Sequence, residues 1–137
     1  MSTFSLQIIT PEKIFFEGDV QRVIVRTTEG DVGILAKHEK YFAALPSGPV
    51  KITMPDGTER LAALSGGAVK VSPAHTAILA NAVEWAEDID IDWAKRSEED
   101  ALRRKEQSKT AHDAERAELK LQRALNRLRV SSMKDEK

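Results

Sequence analysis

Apolar and polar positions change their rhythm once along this chain. Up to about residue 85 they alternate in short runs broken by turn residues, as expected of strands half buried in a sheet. Phe4, Leu6 and Ile8 alternate with Ser5 and Gln7, and Pro11 ends the run; Ile14, Phe15 and Phe16 make a second piece closed by Gly18. Residues 20–27 are dense in β-branched side chains, Gly30 and Gly33 bracket a turn, and residues 32–35 are apolar again. Val50, Ile52 and Met54 point one way while Lys51 and Thr53 point the other. Asp56-Gly57 predicts a hairpin with a type I′ turn, whose two left-handed central residues this pair tolerates best. Residues 61–64 follow, Gly66-Gly67 breaks the run, and residues 68–71 and 76–80 complete about eight to ten strands.

Beyond Trp85 the chain turns to Ala, Glu, Lys, Arg and Leu, with no Gly or Pro, and the period becomes helical. Asp90 and Asp92 both suit an N-cap, since a short carboxylate accepts from the free N–H groups of a first turn. The first helix is expected over 91–107 or 93–107, supported by Glu99 with Arg103 and Asp100 with Arg104 at i,i+4. Its apolar stripe is thin, chiefly Ala94, Ala101 and Leu102. Ser108-Lys109-Thr110 reads as a turn, with Thr110 capping a second helix and Asp113 three residues on. The fold class is therefore mainly β with an α-helical appendage. An N-terminal antiparallel β-sandwich or flattened barrel covers 1–85, a C-terminal antiparallel helical hairpin covers 86–137, and the tail from 131 is frayed.

The second helix carries two stripes. Ala114, Ala117, Leu121, Ala124 and Leu128 recur at intervals that place them on one face, and Arg116, Lys120, Arg123 and Arg127 form a line roughly 100° around from it. A row of cations beside a narrow Ala/Leu seam either is a solvated basic face or awaits an acidic partner. At about 25 cal/mol per Å² such a seam contributes only a few kcal/mol, so a partner is able to overturn the docking of these helices. The sandwich is expected to be the rigid mount and the hairpin the movable part.

Composition narrows the classes further. At 137 residues, 41% hydrophobic and 31% charged, the chain is globular, and a formal net charge of −1 argues against nucleic acid as partner. Without cysteine there is no disulfide framework and no thiolate chemistry, which fits a reducing compartment. The amino terminus lacks the basic and apolar regions of an export signal, and no run of about 18 apolar residues occurs. His38, His75 and His112 stand far apart and off zinc spacing, so no metal is expected. Neither a nucleophile elbow nor a phosphate loop is present. The acidic cluster Glu84, Glu87, Asp88, Asp90 and Asp92 reads as linker charge and helix capping, and no catalytic residues are assigned.

Four landmarks in order bring these observations together. Gly33-Ile34-Leu35 with His38, then Ser65-Gly66-Gly67, then Ala86-Glu87-Asp88-Ile89-Asp90, then Arg123-Ala124-x-Asn126-Arg127-Leu128 resemble the epsilon subunit of bacterial rotary (F-type) ATP synthases, across nearly the whole chain. The resemblance implies a non-catalytic part of the central rotor, clamped to the gamma subunit and seated on the c-subunit ring. It implies a peripheral position on the cytoplasmic face of the bacterial cell membrane, reached only through the complex, and a mobile hairpin that restrains ATP hydrolysis. Extended along gamma toward the alpha/beta catalytic subunits, the hairpin would set Arg116, Lys120, Arg123 and Arg127 against the acidic lever segment of beta. Asp31 and His38 fall on the loops that the family presents to the c ring, although a turn aspartate and a surface histidine read equally well, and Ala36, Lys37, Glu39 and Lys40 replace prolines common there.

Some bacillus-type relatives bind ATP on the hairpin through Ile/Leu-Asp-x-x-Arg-Ala. Here Ile89-Asp90-Ile91-Asp92-Trp93-Ala94 has Trp93 in place of the arginine, and Asp100 stands at a second basic position. Glu84, Asp90, Arg123 and Arg127 remain as a degenerate ATP site, and the expected ATP binding is weak or absent; no cofactor is assigned. Trp93 offers adenine a stacking face but serves more simply as a hydrophobic anchor. Two other classes fit the residues: an ATP-sensing regulatory module, and a generic β-sandwich interaction protein with a charged helical tail.

Overall fold

A computed structural model describes residues 2–133. The chain divides into two compact units, Met1–Trp85 and Ala86–Lys137. The first holds eight strands: β1 (Phe4–Ile9), β2 (Ile14–Val20), β3 (Arg22–Thr27), β4 (Gly30–Leu35), β5 (Tyr41–Thr53), β6 (Glu59–Ser72), β7 (His75–Ala80) and β8 (Val83–Trp85). Their order is β2-β1-β7-β6-β5-β3-β4, with β8 beside β6. The pairs are antiparallel except β1 with β7, which run parallel.

Two long strands join the layers of the sandwich. In β5, residues 50–53 pair with β3, while in β6 residues 62–64 pair with β8 and residues 67–72 with β7. The switch falls where Leu45 opposes Gly67 and Ser47 opposes Ser65, leaving Pro46 across from Gly66. Proline has no N–H for a ladder, and both glycines take positive φ, 83° and 152°, so the strand bends there without ending. Alternation along β1, β3, β7 and the second half of β6, with Ile34 of β4, delivers Leu6, Ile8, Val25, Ile34, Val69 and Ile78 to one fully buried core.

Several expected boundaries moved. Gly18 does not close β2 but lies inside it opposite Leu6, and Gly30 and Gly33 lie within β4 instead of bracketing a turn. The first half of β5 carries Pro46 and Pro49, which hid a strand over 41–49. The Asp56-Gly57 turn is not type I′. Gly57 has φ 87° while Asp56 is not left-handed, and the N–H of Met54 donates to Thr58 O at 2.8 Å. This is a three-residue loop closed by a left-handed glycine, with Asp56 Oδ1 accepting from Thr58 N at 2.9 Å.

The second unit opens with a 3-10 turn, Ala86–Asp88, followed by α1 (Ile91–Gln107) and α2 (Ala111–Met133). Asp90 Oδ1 accepts from Trp93 N at 3.0 Å and Thr110 Oγ1 from Asp113 N at 3.0 Å, so both expected caps are in place. On α1 the buried positions are Ala94, Ser97 and Ala101, and Leu102 is exposed, contrary to the stripe read from sequence. On α2 they are Ala117, Leu121 and Ala124, then Asn126, Val130 and Ser131. The helix therefore runs past the expected fraying point, and Ser131 is buried; of that tail, 134–137 lie outside the described residues.

Candidate functional site

The basic row of α2 is built by helical spacing, but its members meet different neighbours. Lys120 Nζ donates to Asp100 Oδ2 on α1. The guanidinium carbon of Arg127 stands 5.0 Å from the centre of the Trp93 ring, within cation–π range. Arg116 and Arg123 are exposed and line an open cleft with Lys120, Asp113, Leu119 and Arg104 of α1. Three cations of the row thus line a cleft with one wall from each helix, and Arg104 adds a fourth that sequence spacing did not reveal.

Asp100 is the hub of this region. Besides Lys120 it accepts from Arg103 Nη2 at 3.2 Å and pairs with Arg104 Nε at 3.0 Å. Those hydrogen bonds, from Lys120 foremost and then Arg103, hold its carboxyl below the ordinary aspartate value. Across the hairpin Lys105 Nζ donates to Glu118 Oε2 at 2.8 Å, and Gln122 Nε2 donates to Glu118 Oε1 at 2.8 Å. The carboxyl of Glu118 is likewise held low, mainly by Lys105.

The four positions of the degenerate nucleotide site are divided. Glu84 belongs to β8 of the sandwich unit, opposite Ala63, whereas Asp90, Arg123 and Arg127 belong to the hairpin unit. Within the hairpin the Asp90 carboxylate is occupied as the cap of α1, and Arg127 faces Trp93.

The expected c-ring residues are not adjacent. Asp31 stands near the start of β4, where Arg26 Nε pairs with it at 2.9 Å. His38 follows the far end of that strand, just after Lys37 at φ 62°, with its Nδ1 2.8 Å from Glu39 O and its ring 6.2 Å from that of Tyr41.

One surface of the sandwich went unnoticed in the sequence. Register places Ala44 beside Ala68, Ala68 beside Leu79, Leu79 beside Ile9, and Ile9 beside Ile14. This apolar row crosses five strands, about 19 Å at the usual spacing. Leu79 is 53% exposed and Ile14 54%, and Phe42, one row away, is 70% exposed. The residues come from five separated segments, so only the strand order assembles them.

Comparison with known proteins agrees with this geometry. Residues 3–86 match the ATP synthase delta/epsilon chain beta-sandwich domain, and residues 87–132 its long alpha-helix domain. The chain is 42% identical over 135 residues to the ATP synthase epsilon chain of Ruminococcus albus, covering 98% of this chain and 100% of that one. It is 42% identical over 132 residues to that of Halalkalibacterium halodurans, covering 96% and 98%. Its fold is similar to a chain in the Euglena gracilis mitochondrial ATP synthase structure of OSCP, F1 and c-ring, with TM-score 0.79 and 22% identity over 89% of this chain and 77% of that one. A chain of the Tetrahymena thermophila mitochondrial ATP synthase central stalk and c-ring gives 0.63 and 17%, covering 95% and 97%. With both units matched in order and nearly end to end, this chain belongs to the delta/epsilon chain family of ATP synthases.

Proposed function

We propose that this chain is the epsilon-type subunit of a membrane ion-driven ATP synthase, a non-catalytic rotor part that joins the gamma subunit to the c ring and restrains ATP hydrolysis through its hairpin. The observation that carries this is the continuous likeness to epsilon chains over 98% of the sequence. The chemistry is compatible: on the hairpin, Asp100 and Glu118 are taken up in ion pairs with Lys120 and Lys105. The chain works by contact, and it reaches the cytoplasmic face of the membrane through its partners. No described helix is long and apolar enough to cross a bilayer.

Three surfaces support the division of labour. The row Ile9, Ile14, Ala44, Ala68 and Leu79, exposed at Ile14, Ala44 and Leu79, is the seat we assign to gamma, since an apolar band of this length gains by being covered. Asp31 and His38, at opposite ends of β4, offer two separate points for the c ring. On the hairpin, Arg116, Lys120, Arg123 and Arg127 are assigned to the acidic segment of beta, where charge pairs shielded from water oppose rotation.

ATP binding to this chain is weak or absent in this reading. Trp93 already occupies the face of Arg127, Asp90 is committed to a cap, and Asp100 engages Arg103, Arg104 and Lys120, cations that a triphosphate would need. Calorimetry is expected to show no micromolar ATP affinity. The brake is tested in the complex reassembled with its gamma, alpha and beta subunits. Arg116→Ala, Arg123→Ala and Arg127→Ala together should raise ATPase activity with the chain still bound; unchanged activity would sink the brake.

A further inference from the structure

The seam between α1 and α2 is lined by Ala94, Ser97 and Ala101 on one side and Ala117, Leu121 and Ala124 on the other. Side chains this small bury little apolar surface, so polar ties between the helices weigh more in deciding whether they stay together. Such ties include Lys120 to Asp100 and Lys105 to Glu118.

Both are built asymmetrically. Asp100 has Arg103 and Arg104 as further partners on its own helix, and Glu118 has Gln122 on its own helix. Among the described residues, Asp100 is the carboxylate paired with Lys120, and Glu118 the one paired with Lys105. Separating the helices therefore leaves each carboxylate neutralised or hydrogen-bonded at home, while each lysine comes away bare. Breaking a tie usually leaves two uncompensated charges. For Asp100 and Lys120 it leaves one, because Arg103 and Arg104 still neutralise Asp100, and on α2 that one lies between Arg116 and Arg123.

Resting on the brake reading above, we propose that Asp100 is an exchangeable latch, an internal stand-in for the carboxylate of the acidic partner that captures Lys120 once the helices part. Hairpin opening and capture by an acidic segment are then one coupled equilibrium, in which the partner's carboxylate takes the place Asp100 gives up and Asp100 falls back on its two arginines. The consequence is an opposite sign for the two ends of one ion pair. Loss of Asp100 frees Lys120 and favours capture; loss of Lys120 frees the hairpin but weakens capture.

The chain has no native cysteine, so Lys95→Cys and Arg129→Cys, both at exposed positions of the two helices, allow a spin-label distance to be measured in the otherwise intact chain. Asp100→Asn and Lys120→Gln should each raise the open fraction of the free chain by roughly threefold to fivefold, in keeping with a partly exposed ion-pair network. In the assembled complex Asp100→Asn should lower ATPase activity and Lys120→Gln should raise it. An open fraction unmoved by Asp100→Asn overturns the latch, whatever the ATPase does. Both variants shifting ATPase the same way, while the Arg116, Arg123 and Arg127 triple variant still raises it, overturns the exchange and leaves the brake standing. If no variant changes ATPase, the brake itself has failed.

Discussion

The guanidinium carbon of Arg60 lies 3.5 Å from the centre of the Trp85 ring, at the last residue of the sandwich unit. Phe15 meets the same indole with ring centres 4.5 Å apart, and Phe16 approaches edge-on at 6.1 Å. One aromatic cluster thus fastens β8, a strand of three residues with little ladder of its own, where the helical unit begins. Trp85→Ala should destabilise the sandwich by about 3 kcal/mol through lost packing, and Arg60→Ala by about 1 kcal/mol. Denaturant unfolding followed by strand circular dichroism measures both; equal effects would show that the cation and not the ring stack dominates.

Gly67 tests the bend that lets β6 serve both layers. Its φ of 152° and a Cβ position 2.0 Å from Leu79 O leave no room for a side chain, and the obstacle is backbone. Gly67→Ala should cost about 3 kcal/mol or prevent folding. Gly33→Ala, where nothing stands within 4 Å of an added Cβ and φ is ordinary, should change stability by no more than about 0.5 kcal/mol. Expression and melting temperature of the pair decide this, and a soluble, fully stable Gly67→Ala would mean that the strand switch tolerates another path.

The same bend explains what the sequence hid. Alternation at Phe4, Leu6 and Ile8 announces a strand because its two faces differ, but Pro46, Pro49, Gly66 and Gly67 look like strand enders when they mark a strand changing layers. The hairpin was easier to read, since Asp90 and Thr110 cap through local hydrogen bonds that depend on a few neighbouring residues. The basic row was visible as spacing, yet nothing local shows that Asp100 reaches Lys120 across twenty positions or that Trp93 faces Arg127. The apolar row of Ile9, Ile14, Ala44, Ala68 and Leu79 depends wholly on strand order and register.

The hairpin should respond to acid and ignore pH changes near neutrality. Hydrogen bonds from Lys120 and then Arg103 lower Asp100 from its ordinary 3.8, and those from Lys105 and then Gln122 lower Glu118 from 4.5. A carboxylate whose folded pKa is depressed contributes its stability in full above the unfolded value and loses it as pH falls through the folded one. The inter-helix distance should therefore hold steady down to about pH 5 and lengthen below about pH 4. Asp100→Asn should flatten part of that transition. A midpoint above about pH 5 would assign the opening to other groups.

Leu79 and Phe42 separate surface function from folding. Both side chains are more than half exposed, so Leu79→Asp and Phe42→Glu should each leave unfolding of the free chain within about 0.5 kcal/mol of the parent. A charge placed in the apolar band must be desolvated unpaired when a partner covers it, which costs a further few kcal/mol in the complex only. Retention by the isolated gamma subunit in a pull-down or calorimetric titration should accordingly fall at least about tenfold for Leu79→Asp, at the centre of the row, and less for Phe42→Glu beside it. Glu17, on the neighbouring ladder row and hydrogen-bonded to Gln7, supplies the control: Glu17→Gln alters charge on the same face without entering the apolar band. Full affinity of the Leu79→Asp chain for gamma would move the clamp to another face, while equal loss with Glu17→Gln would make the contact electrostatic instead of hydrophobic.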